Sequence, residues 1–253
     1  MRQDELNIRI EDHLKNYKDE VLRDKSNDEL KVDLRSNFIK DSFELMTKYY
    51  NKEVIESYGG DLKSPKVLGM NLFLPLFKNS MLLKDVLAHV LERNGEELGK
   101  VKDIDFDRVL NRDFNNALDL FIELETGEKI YFEFTYWEDN FGSFIGENNQ
   151  ELWEKEFSVQ RDRSLYLKEM DRQDFCKNFR INRNISLLED ESDYIVFIYP
   201  FENEALKERM EEFDFENLKK MDLHELLYFI LKRDLTEEEE EYYREFSRKY
   251  LIY

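Results

Sequence analysis

The sequence has few of the residues on which several common kinds of protein site depend. Cys176 is its single cysteine, so no disulfide can form within the chain and a reducing, intracellular setting is expected. The three histidines, His13, His89 and His224, lie far apart without the spacing of zinc ligands, which disfavours zinc chemistry. The 8 glycines form no glycine-rich phosphate loop, which disfavours nucleotide-binding folds.

Long apolar runs are also missing. No stretch approaches the roughly 18 consecutive apolar residues that span a bilayer, and residues 1–20 lack the apolar centre of a signal peptide. The sequence therefore predicts a cytoplasmic protein without a membrane partner.

Positive charge is scarce relative to negative charge. The 38 Lys and Arg residues stand against 58 Asp and Glu, which gives a formal net charge of −20. Because affinity for duplex DNA comes largely from neutralised phosphates, this balance opposes tight binding to DNA by the chain alone. A hydrophobic content of 41%, with 20 Phe and 14 Tyr, is sufficient for a globular chain with a substantial core.

The most informative segment is a predicted β-hairpin. Residues 118–124 and 130–137 are rich in aromatic and branched aliphatic side chains, and the loop between them ends in Gly127. A three-residue loop that ends in glycine can form the left-handed bulge of a recognised hairpin type, and it pairs residues whose numbers sum to 252. Asp119 then lies opposite Glu133, whereas a two-residue turn would put the two acids on opposite faces.

This register gives the hairpin one apolar face and one face with two acids. The apolar face carries Leu118, Leu120, Ile122, Leu124, Ile130, Phe132 and Phe134. On the other face, two carboxylates with β-carbons about 5 Å apart repel each other, which raises a pKa or recruits a cation. Mg²⁺ (or Mn²⁺) is commonly held by one or two carboxylates together with waters and substrate phosphates. In a chain this acidic, the alternative is that two acids are neighbours without forming a site.

Three local patterns accompany the hairpin. Ser64-Pro65-Lys66 is followed by Asn71-Leu72-Phe73-Leu74-Pro75-Leu76. Glu133-Phe134-Thr135-Tyr136-Trp137-Glu138 is followed by Phe141-Gly142, and Arg180-Ile181-Asn182-Arg183-Asn184-Ile185 precedes a buried-strand pattern. Together they cover roughly residues 60–205, and they resemble a small prokaryotic branch of the restriction-endonuclease-like, or PD-(D/E)XK, nuclease superfamily.

The resemblance implies a mixed α/β fold with an αβββαβ core, in which helices flank a central mixed sheet. The implied elements are a first helix within 64–93, a first strand at 101–110, the two hairpin strands, a second helix at about 149–170 and a parallel fourth strand at 194–200. The nuclease core would occupy residues 58–205, between an N-terminal helical extension (1–57) and a C-terminal helical extension (206–253).

The resemblance also implies roles for individual residues. Asp119 and Glu133 would bind the Mg²⁺ or Mn²⁺ ion. Where the superfamily usually carries a lysine on the third strand, this chain has Thr135, whose neutral hydroxyl is poorly suited to orient or deprotonate the attacking water. Lys66, at the start of the first helix, is one candidate for the missing cation.

Other residues near the predicted site leave alternatives open. Lys155, Gln160 or Arg161 could reach across to the site from the second helix as an alternative to the first-helix lysine. Glu138 and Asp139 follow the third strand and are either further ligands or part of a solvated turn.

Basic residues are concentrated between positions 155 and 183. Arg161 and Lys168 are seven residues apart, so a continuous helix would place them on one face, with Arg172 near it. This predicts a basic stripe that contacts DNA beside the metal, with Arg180 and Arg183 able to clamp phosphates. The alternative is a solvated face of mixed charge.

Both ends of the chain are predicted to be helical. Residues 1–57 carry loose apolar stripes that would pack on the core or on another subunit. After Pro200 the pattern is again helical, and Thr236-Glu237-Glu238-Glu239 resembles a capping box that opens the last helix. The glutamates after Thr236 suit the positive end of a helix dipole better than a metal site.

Two functions remain as hypotheses. The first is a metal-dependent nuclease that hydrolyses phosphodiester bonds of DNA in restriction or defence, with Asp119, Glu133, Thr135 and Lys66 as its catalytic residues. The second is an inactive interaction module of the same fold in a larger nucleic-acid-processing assembly, with a protein partner or as a homo-oligomer. A third reading, an acidic inhibitor that mimics DNA, agrees with the charge but leaves the paired acids unexplained.

Overall fold

The strands of the computed structural model form one five-stranded sheet. They are β1 (Val101–Asn111), β2 (Asn116–Leu124), β3 (Lys129–Phe134), β4 (Tyr194–Tyr199) and β5 (Leu218–Asp222), in the order β1-β2-β3-β4-β5. The first three strands are antiparallel neighbours, whereas β4 is parallel to β3 and β5 is parallel to β4. The structure describes residues 3–26, 30–49, 59–111, 116–138 and 158–252, without the side chains at 49, 107–111, 116–117 and 160.

Helices within the described ranges pack on the sheet. They are α1 (Gln3–Tyr17), α2 (Ser42–Tyr49), α3 (Pro65–Phe73), α4 (Ser80–Val90), α5 (Ser158–Arg163), α6 (Arg172–Lys177), α7 (Phe179–Ile185), α8 (Glu204–Glu211), α9 (Leu223–Leu231) and α10 (Glu237–Tyr250). Short 3-10 turns at Arg35–Asn37 and Pro75–Lys78 connect some of them. The combination confirms the predicted mixed α/β class.

Both faces of the sheet are covered by apolar clusters. Ile122 and Phe132 belong to the larger cluster, which includes residues of α1–α4, α9 and α10. Phe121 and Phe197 belong to the second cluster, which includes residues of α6, α7 and α8. Successive strand residues point to opposite faces, so the alternation in the sequence accounts for both clusters. Leu118, which the alternation predicts in the larger cluster, packs in the second one instead.

Most predicted core elements are present, with changes at their ends. β1, β2 and the buried β4 lie where they were predicted. The third strand ends at Phe134, three residues before the predicted end at Trp137. The predicted first-helix region contains two helices, α3 and α4, because a 3-10 turn that begins at Pro75 separates them.

The predicted second helix is wrong in its extent. Its first part, residues 149–157, lies outside the described residues, and α5 ends at Arg163 rather than continuing to Met170. The chain then turns and forms the short helices α6 and α7. Leu167 and Phe175 are fully buried in this region, so packing against the sheet takes precedence over a straight helix.

The prediction of an entirely helical segment after Pro200 is also wrong. Residues Leu218–Asp222 form β5, which extends the sheet beside β4. Lys219 and Lys220 give this strand little apolar alternation, since it is a short strand at the sheet margin whose pairing is made by the backbone. The division into residues 1–57, 58–205 and 206–253 stays a prediction, although its last part is not wholly helical.

Two helix starts follow the local sequence closely. Ser64 caps α3 by accepting a hydrogen bond from the amide of Val67 at 3.4 Å. Thr236 and Glu239 form the predicted capping box at the start of α10. Among the described residues, no helix has the length and hydropathy needed to cross a membrane.

Candidate active site

The β2–β3 hairpin has the register that the three-residue loop predicts. Leu120 pairs with Phe132 and Glu123 with Lys129, so paired numbers sum to 252. Gly127 has φ of 93°, in the left-handed region that glycine adopts at little steric cost. The paired residues end at Leu120 and Phe132; Asp119 and Glu133 are the next residues on the two strands, and Arg180 contacts both.

Both acids are buried. Asp119 is 3% exposed and Glu133 is 0% exposed. The amide of Phe134 donates to Oδ2 of Asp119 at 2.9 Å, which ties the two strands together through the side chain. Two buried carboxylates require either a cation or a proton nearby.

Arg180, on α7, supplies positive charge to this pair. Its Nη2 lies 3.8 Å from Oδ2 of Asp119 and forms an ion pair with Oε1 of Glu133. Its side chain is 26% exposed, so the guanidinium connects the buried acids to the solvent. The sequence placed Arg180 on a phosphate-binding surface, and the structure adds its contact with both acids.

Burial changes the titration of the acids. The pKa of Asp119 is raised from 3.8 to about 7, mainly by burial and next by the negative charge of Glu133. Arg180, the amide of Phe134 and Lys66 oppose the increase. At neutral pH, Asp119 is therefore close to the midpoint of its titration, so its protonation responds to any added cation.

Two buried oxygen atoms beside this pair have no hydrogen-bond partner among the described residues. They are Oε2 of Glu133 and Oγ1 of Thr135. Thr135 is 1% exposed and follows the last residue of β3, and its amide donates to the carbonyl of Ile198 at 3.0 Å. An unpartnered carboxylate oxygen in a dry site is available to a hard cation.

A cleft of about 600 Å³ opens beside Asp119. The charged side chains that line it are Lys31, Asp61, Lys63, Lys66, Asp119, Glu138 and Arg180. Glu133 and Thr135 do not line it, so they lie behind Asp119 and Arg180 as seen from the cleft. Four of these seven charged side chains are cationic, whereas the chain as a whole carries a net charge of −20.

Lys66 lies on the cleft wall opposite the hairpin. It belongs to the first turn of α3, which Ser64 caps. Its charge is close enough to lower the pKa of Asp119. The structure therefore brings this predicted candidate to the acids, and its chemical role stays a prediction.

Glu138 is a further acid in the cleft. Its Oε2 accepts a hydrogen bond from the amide of Tyr136 at 3.1 Å, and its carbonyl accepts one from the side chain of Asn203 at 2.8 Å. Burial raises the pKa of Glu138. These contacts make it part of a fixed turn; its neighbour Asp139 lies outside the described residues.

The predicted basic stripe on one helix face is wrong, because α5 ends before Lys168. Arg161 donates to the carbonyl of Met170 at 3.1 Å and pairs with Asp162, while Lys168 is exposed in the turn after α5. Arg172 begins α6, and Arg183 donates to the side chain of Asn184 at 3.0 Å. Of the predicted nucleic-acid residues, Arg180 is the one that lines the cleft.

Two of the three alternative residues on the predicted second helix have side chains that the structure does not describe. Lys155 lies outside the described residues, as does the side chain of Gln160. Two further lysines that line the cleft beside Lys66, Lys31 and Lys63, were not predicted. Lys31 reaches the cleft through a bridge between its strand-like segment and Asp61, a long-range contact that no local sequence pattern signals.

The metal-binding capacity of the site rests on few side chains. Within the ranges described, no three or more His, Cys, Asp or Glu residues are arranged to hold a metal ion together. The donor set is therefore the Asp119–Glu133 pair, whose oxygens are ligands that Mg²⁺ and Mn²⁺ accept. Water and substrate oxygens would have to complete the shell.

Comparison with known proteins adds one finding. A family model described as "Restriction Endonuclease associating with ARP" (REase-ARP) matches residues 3–251. No curated protein and no solved structure matches. The match extends from α1 to the end of α10, so both terminal segments belong to the family pattern together with the sheet.

Proposed function

The chain belongs to the REase-ARP family, the restriction endonucleases associating with ARP, and we propose that it is a metal-dependent nuclease of the PD-(D/E)XK type. It hydrolyses phosphodiester bonds of DNA in the cleft beside Asp119, in restriction or defence. The observation that carries the proposal is the burial of Asp119 and Glu133, both in contact with Arg180, beside a cleft that Lys31, Lys63 and Lys66 also line.

Asp119 and Glu133 would hold the divalent ion. The unpartnered Oε2 of Glu133 and the paired carboxylates fit the preference of Mg²⁺ and Mn²⁺ for oxygen ligands. When bound, such an ion polarises a phosphodiester and makes a bound water more acidic. Asp119 loses its proton to become a ligand, so ion binding is expected to tighten as the pH rises through about 7.

Lys66 takes the place of the strand lysine that this chain lacks. Thr135 is buried and neutral, and it does not line the cleft, so it can neither donate a positive charge nor contact a substrate there. Lys66, on α3, lines the same cleft as Asp119 and acts on it electrostatically. In the proposal its ammonium orients the attacking water and offsets the negative charge that develops on the phosphate.

Arg180 serves two states of the site. Without a divalent ion, its guanidinium compensates the charge of Asp119 and Glu133. With a divalent ion held by Asp119 and Glu133, the guanidinium would be available to a phosphate oxygen, for which its planar donors are well shaped. Its partly exposed position at the edge of the cleft allows this change.

One observation favours a second function. The ion pair of Arg180 with Glu133 satisfies much of the charge of the site without a metal, and Thr135 replaces the usual lysine. A chain with this arrangement can serve as an inactive module that binds a protein partner, which the phrase "associating with ARP" in the family description also suggests.

Cleavage assays on the full chain distinguish the two functions. We expect Mg²⁺- or Mn²⁺-dependent cleavage of duplex or single-stranded DNA that Asp119→Asn abolishes. Asp193→Asn is the matched control, because Asp193 is 1% exposed and accepts a hydrogen bond from the amide of Lys129 at 3.1 Å. Burial raises the pKa of Asp193 as it does that of Asp119, but Asp193 does not line the cleft.

Ion binding is measured in parallel by thermal unfolding. Mn²⁺ is expected to raise the melting temperature of the wild type and of Asp193→Asn, and to leave that of Asp119→Asn unchanged. An ion-induced shift without cleavage of any DNA would favour the interaction module. The absence of both the shift and the cleavage would reject the nuclease and its metal site together.

A further inference from the structure

Lys249 is a buried cation that the proposed chemistry does not use. It lies in the last turn of α10 and is 0% exposed. Its Nζ donates to Oδ1 of Asn37 at 2.7 Å and to the carbonyl oxygen of the same residue. Burial lowers the pKa of Lys249 to about 7, which measures how unfavourable this environment is for an ammonium.

Asn37 connects Lys249 with the backbone of residues that border the cleft. Its Nδ2 donates to the carbonyls of Gly59 at 2.6 Å and of Asp61 at 2.7 Å. An ammonium can only donate, so Lys249 requires the oxygen of the Asn37 amide to face α10. The amide NH₂ group then faces the segment 59–61, where both of its hydrogens are used.

The segment that Asn37 holds is the wall of the cleft. The amide of Val32 donates to the carbonyl of Gly60 at 2.9 Å, and the amide of Leu62 donates to the carbonyl of Leu30 at 3.0 Å. Ser64, whose amide donates to the carbonyl of Asp61 at 3.1 Å, then caps α3. A chain of hydrogen bonds therefore runs from α10 through Asn37 and Asp61 to the first turn of α3, which contains Lys66.

We propose that Lys249 is a positioning residue of the cleft: through Asn37 it fixes residues 59–66, and with them the location of Lys66 opposite Asp119. The inference deepens the proposed function, since the wall it concerns belongs to the same site. It assigns to the last helix, more than a hundred residues along the chain from the hairpin acids, a direct role in the geometry of the cleft.

Two substitutions separate positioning from general stability. Lys249→Met removes the donor and keeps an apolar side chain of similar length. Asn37→Asp keeps an acceptor for Lys249 and makes the contact an ion pair, but it replaces the NH₂ group that holds Gly59 and Asp61. Tyr243→Phe is the control, because it removes a buried hydrogen bond of the same helix, to the carbonyl of Leu72, without touching the segment 59–66.

The measurement is amide hydrogen exchange of the full chain, with the melting temperature recorded for each variant. We expect the amides of Leu62 and Ser64 to exchange about tenfold faster in Lys249→Met and Asn37→Asp, while amides of β4 keep their protection. Tyr243→Phe should leave Leu62 and Ser64 unchanged. Unchanged exchange in both test variants, or a uniform increase in all three variants, would overturn the proposal.

Cleavage assays on the same variants keep this proposal distinct from the nuclease itself. If the wild type cleaves DNA, kcat is expected to fall at least about tenfold in Asn37→Asp while the melting temperature stays close to that of the wild type. Faster local exchange in the two test variants, together with a wild type that never cleaves, would support the positioning role and reject the nuclease. Normal kcat with fast exchange would show that Lys66 is not positioned by this contact.

Discussion

The charge state of Asp119 decides what the site can bind. A buried carboxyl beside a second carboxyl prefers its proton, whereas Arg180 and Lys66 favour its ionised form. The result is a pKa near neutrality, poised between a protonated site and one that can accept a divalent ion. Residues of this kind are frequent at functional sites because small changes in their surroundings change their charge.

The raised pKa of Asp119 makes the free energy of unfolding depend on pH. Between the ordinary pKa of 3.8 and the folded value of about 7, the folded protein holds the proton of Asp119 more firmly than the unfolded chain does. The contribution of Asp119 to the free energy of unfolding is therefore complete below about pH 4 and is lost as the pH rises to about 7, by up to about 1.4 kcal/mol per pH unit. Above that range both states are ionised and the contribution no longer changes.

Urea unfolding at a series of pH values measures this slope. Asp119→Asn is expected to reduce the decrease between pH 4 and 7, while Asp193→Asn retains the contribution of Asp119. Mn²⁺ is expected to oppose the decrease at the upper end, since it binds the ionised form. An identical pH profile for the wild type and Asp119→Asn would contradict the raised pKa.

The two hairpin acids could be predicted because they depend on local rules. Strand alternation and the glycine of the loop decide which residues are opposite each other, and both rules held over the pairs from Leu120 to Lys129. The contact of Arg180 with those acids could not be predicted, because it depends on how α6 and α7 fold back over the sheet. Arg180 was identified as a functional candidate, but its distance from Asp119 is a property of the tertiary structure.

At the scale of elements, the packing of α3 on β3 determines how close Lys66 comes to the acids. Gly69 lies where α3 meets the ring of Phe134, and a β-carbon added there would be 2.5 Å from two of its ring atoms. The ring cannot easily move, since it is fully buried with its centre 5.8 Å from that of Phe73. The absence of a side chain at Gly69 therefore allows the close approach of helix and strand.

Gly69→Ala is expected to destabilise the protein although alanine favours helix formation. The overpacking penalty exceeds the gain in helix propensity, for a net loss of about 1 to 2 kcal/mol in the free energy of unfolding. Gly95→Ala is the control, because its β-carbon would meet that of Ala88 at an ordinary 3.6 Å, and its effect should stay within about 0.5 kcal/mol. Urea midpoints that are equal for the two variants would show that α3 can move away from β3.

The elements that sequence reasoning missed have a common cause. β5 carries two lysines and has a weak apolar pattern, so its strand conformation comes from backbone pairing with β4. The predicted helix does not continue to Met170, although the sequence pattern is helical, because buried residues such as Leu167 pack on the sheet. In both cases tertiary contacts outweigh local propensity, which is where prediction from sequence is weakest.

At the scale of the whole molecule, the sheet, the N-terminal segment and the last helix form one unit around the cleft. Lys31 and Lys63 reach the cleft from residues close to the N-terminal helices, and Lys63 also pairs with Glu11 of α1 at 3.0 Å. The hydrogen bond from Lys249 to Asn37 connects α10 to the same unit. The family match, over residues 3–251, covers all of these elements.

The proposed DNA binding leads to a prediction about its strength and its surface. A net charge of −20 repels phosphates, so contact is confined to the cleft cations Lys31, Lys63, Lys66 and Arg180. For four such contacts, log affinity should fall with log salt concentration with a slope of about −3 to −4, measured by fluorescence anisotropy with Asp119→Asn to prevent cleavage. Lys31→Gln should reduce the magnitude of the slope by about 0.9, whereas Lys168→Gln, with the same change of net charge from −20 to −21, should not alter it because Lys168 lies outside the cleft. Equal slopes for the two variants would mean that DNA is held by the general charge of the surface, and that the cleft is not its binding site.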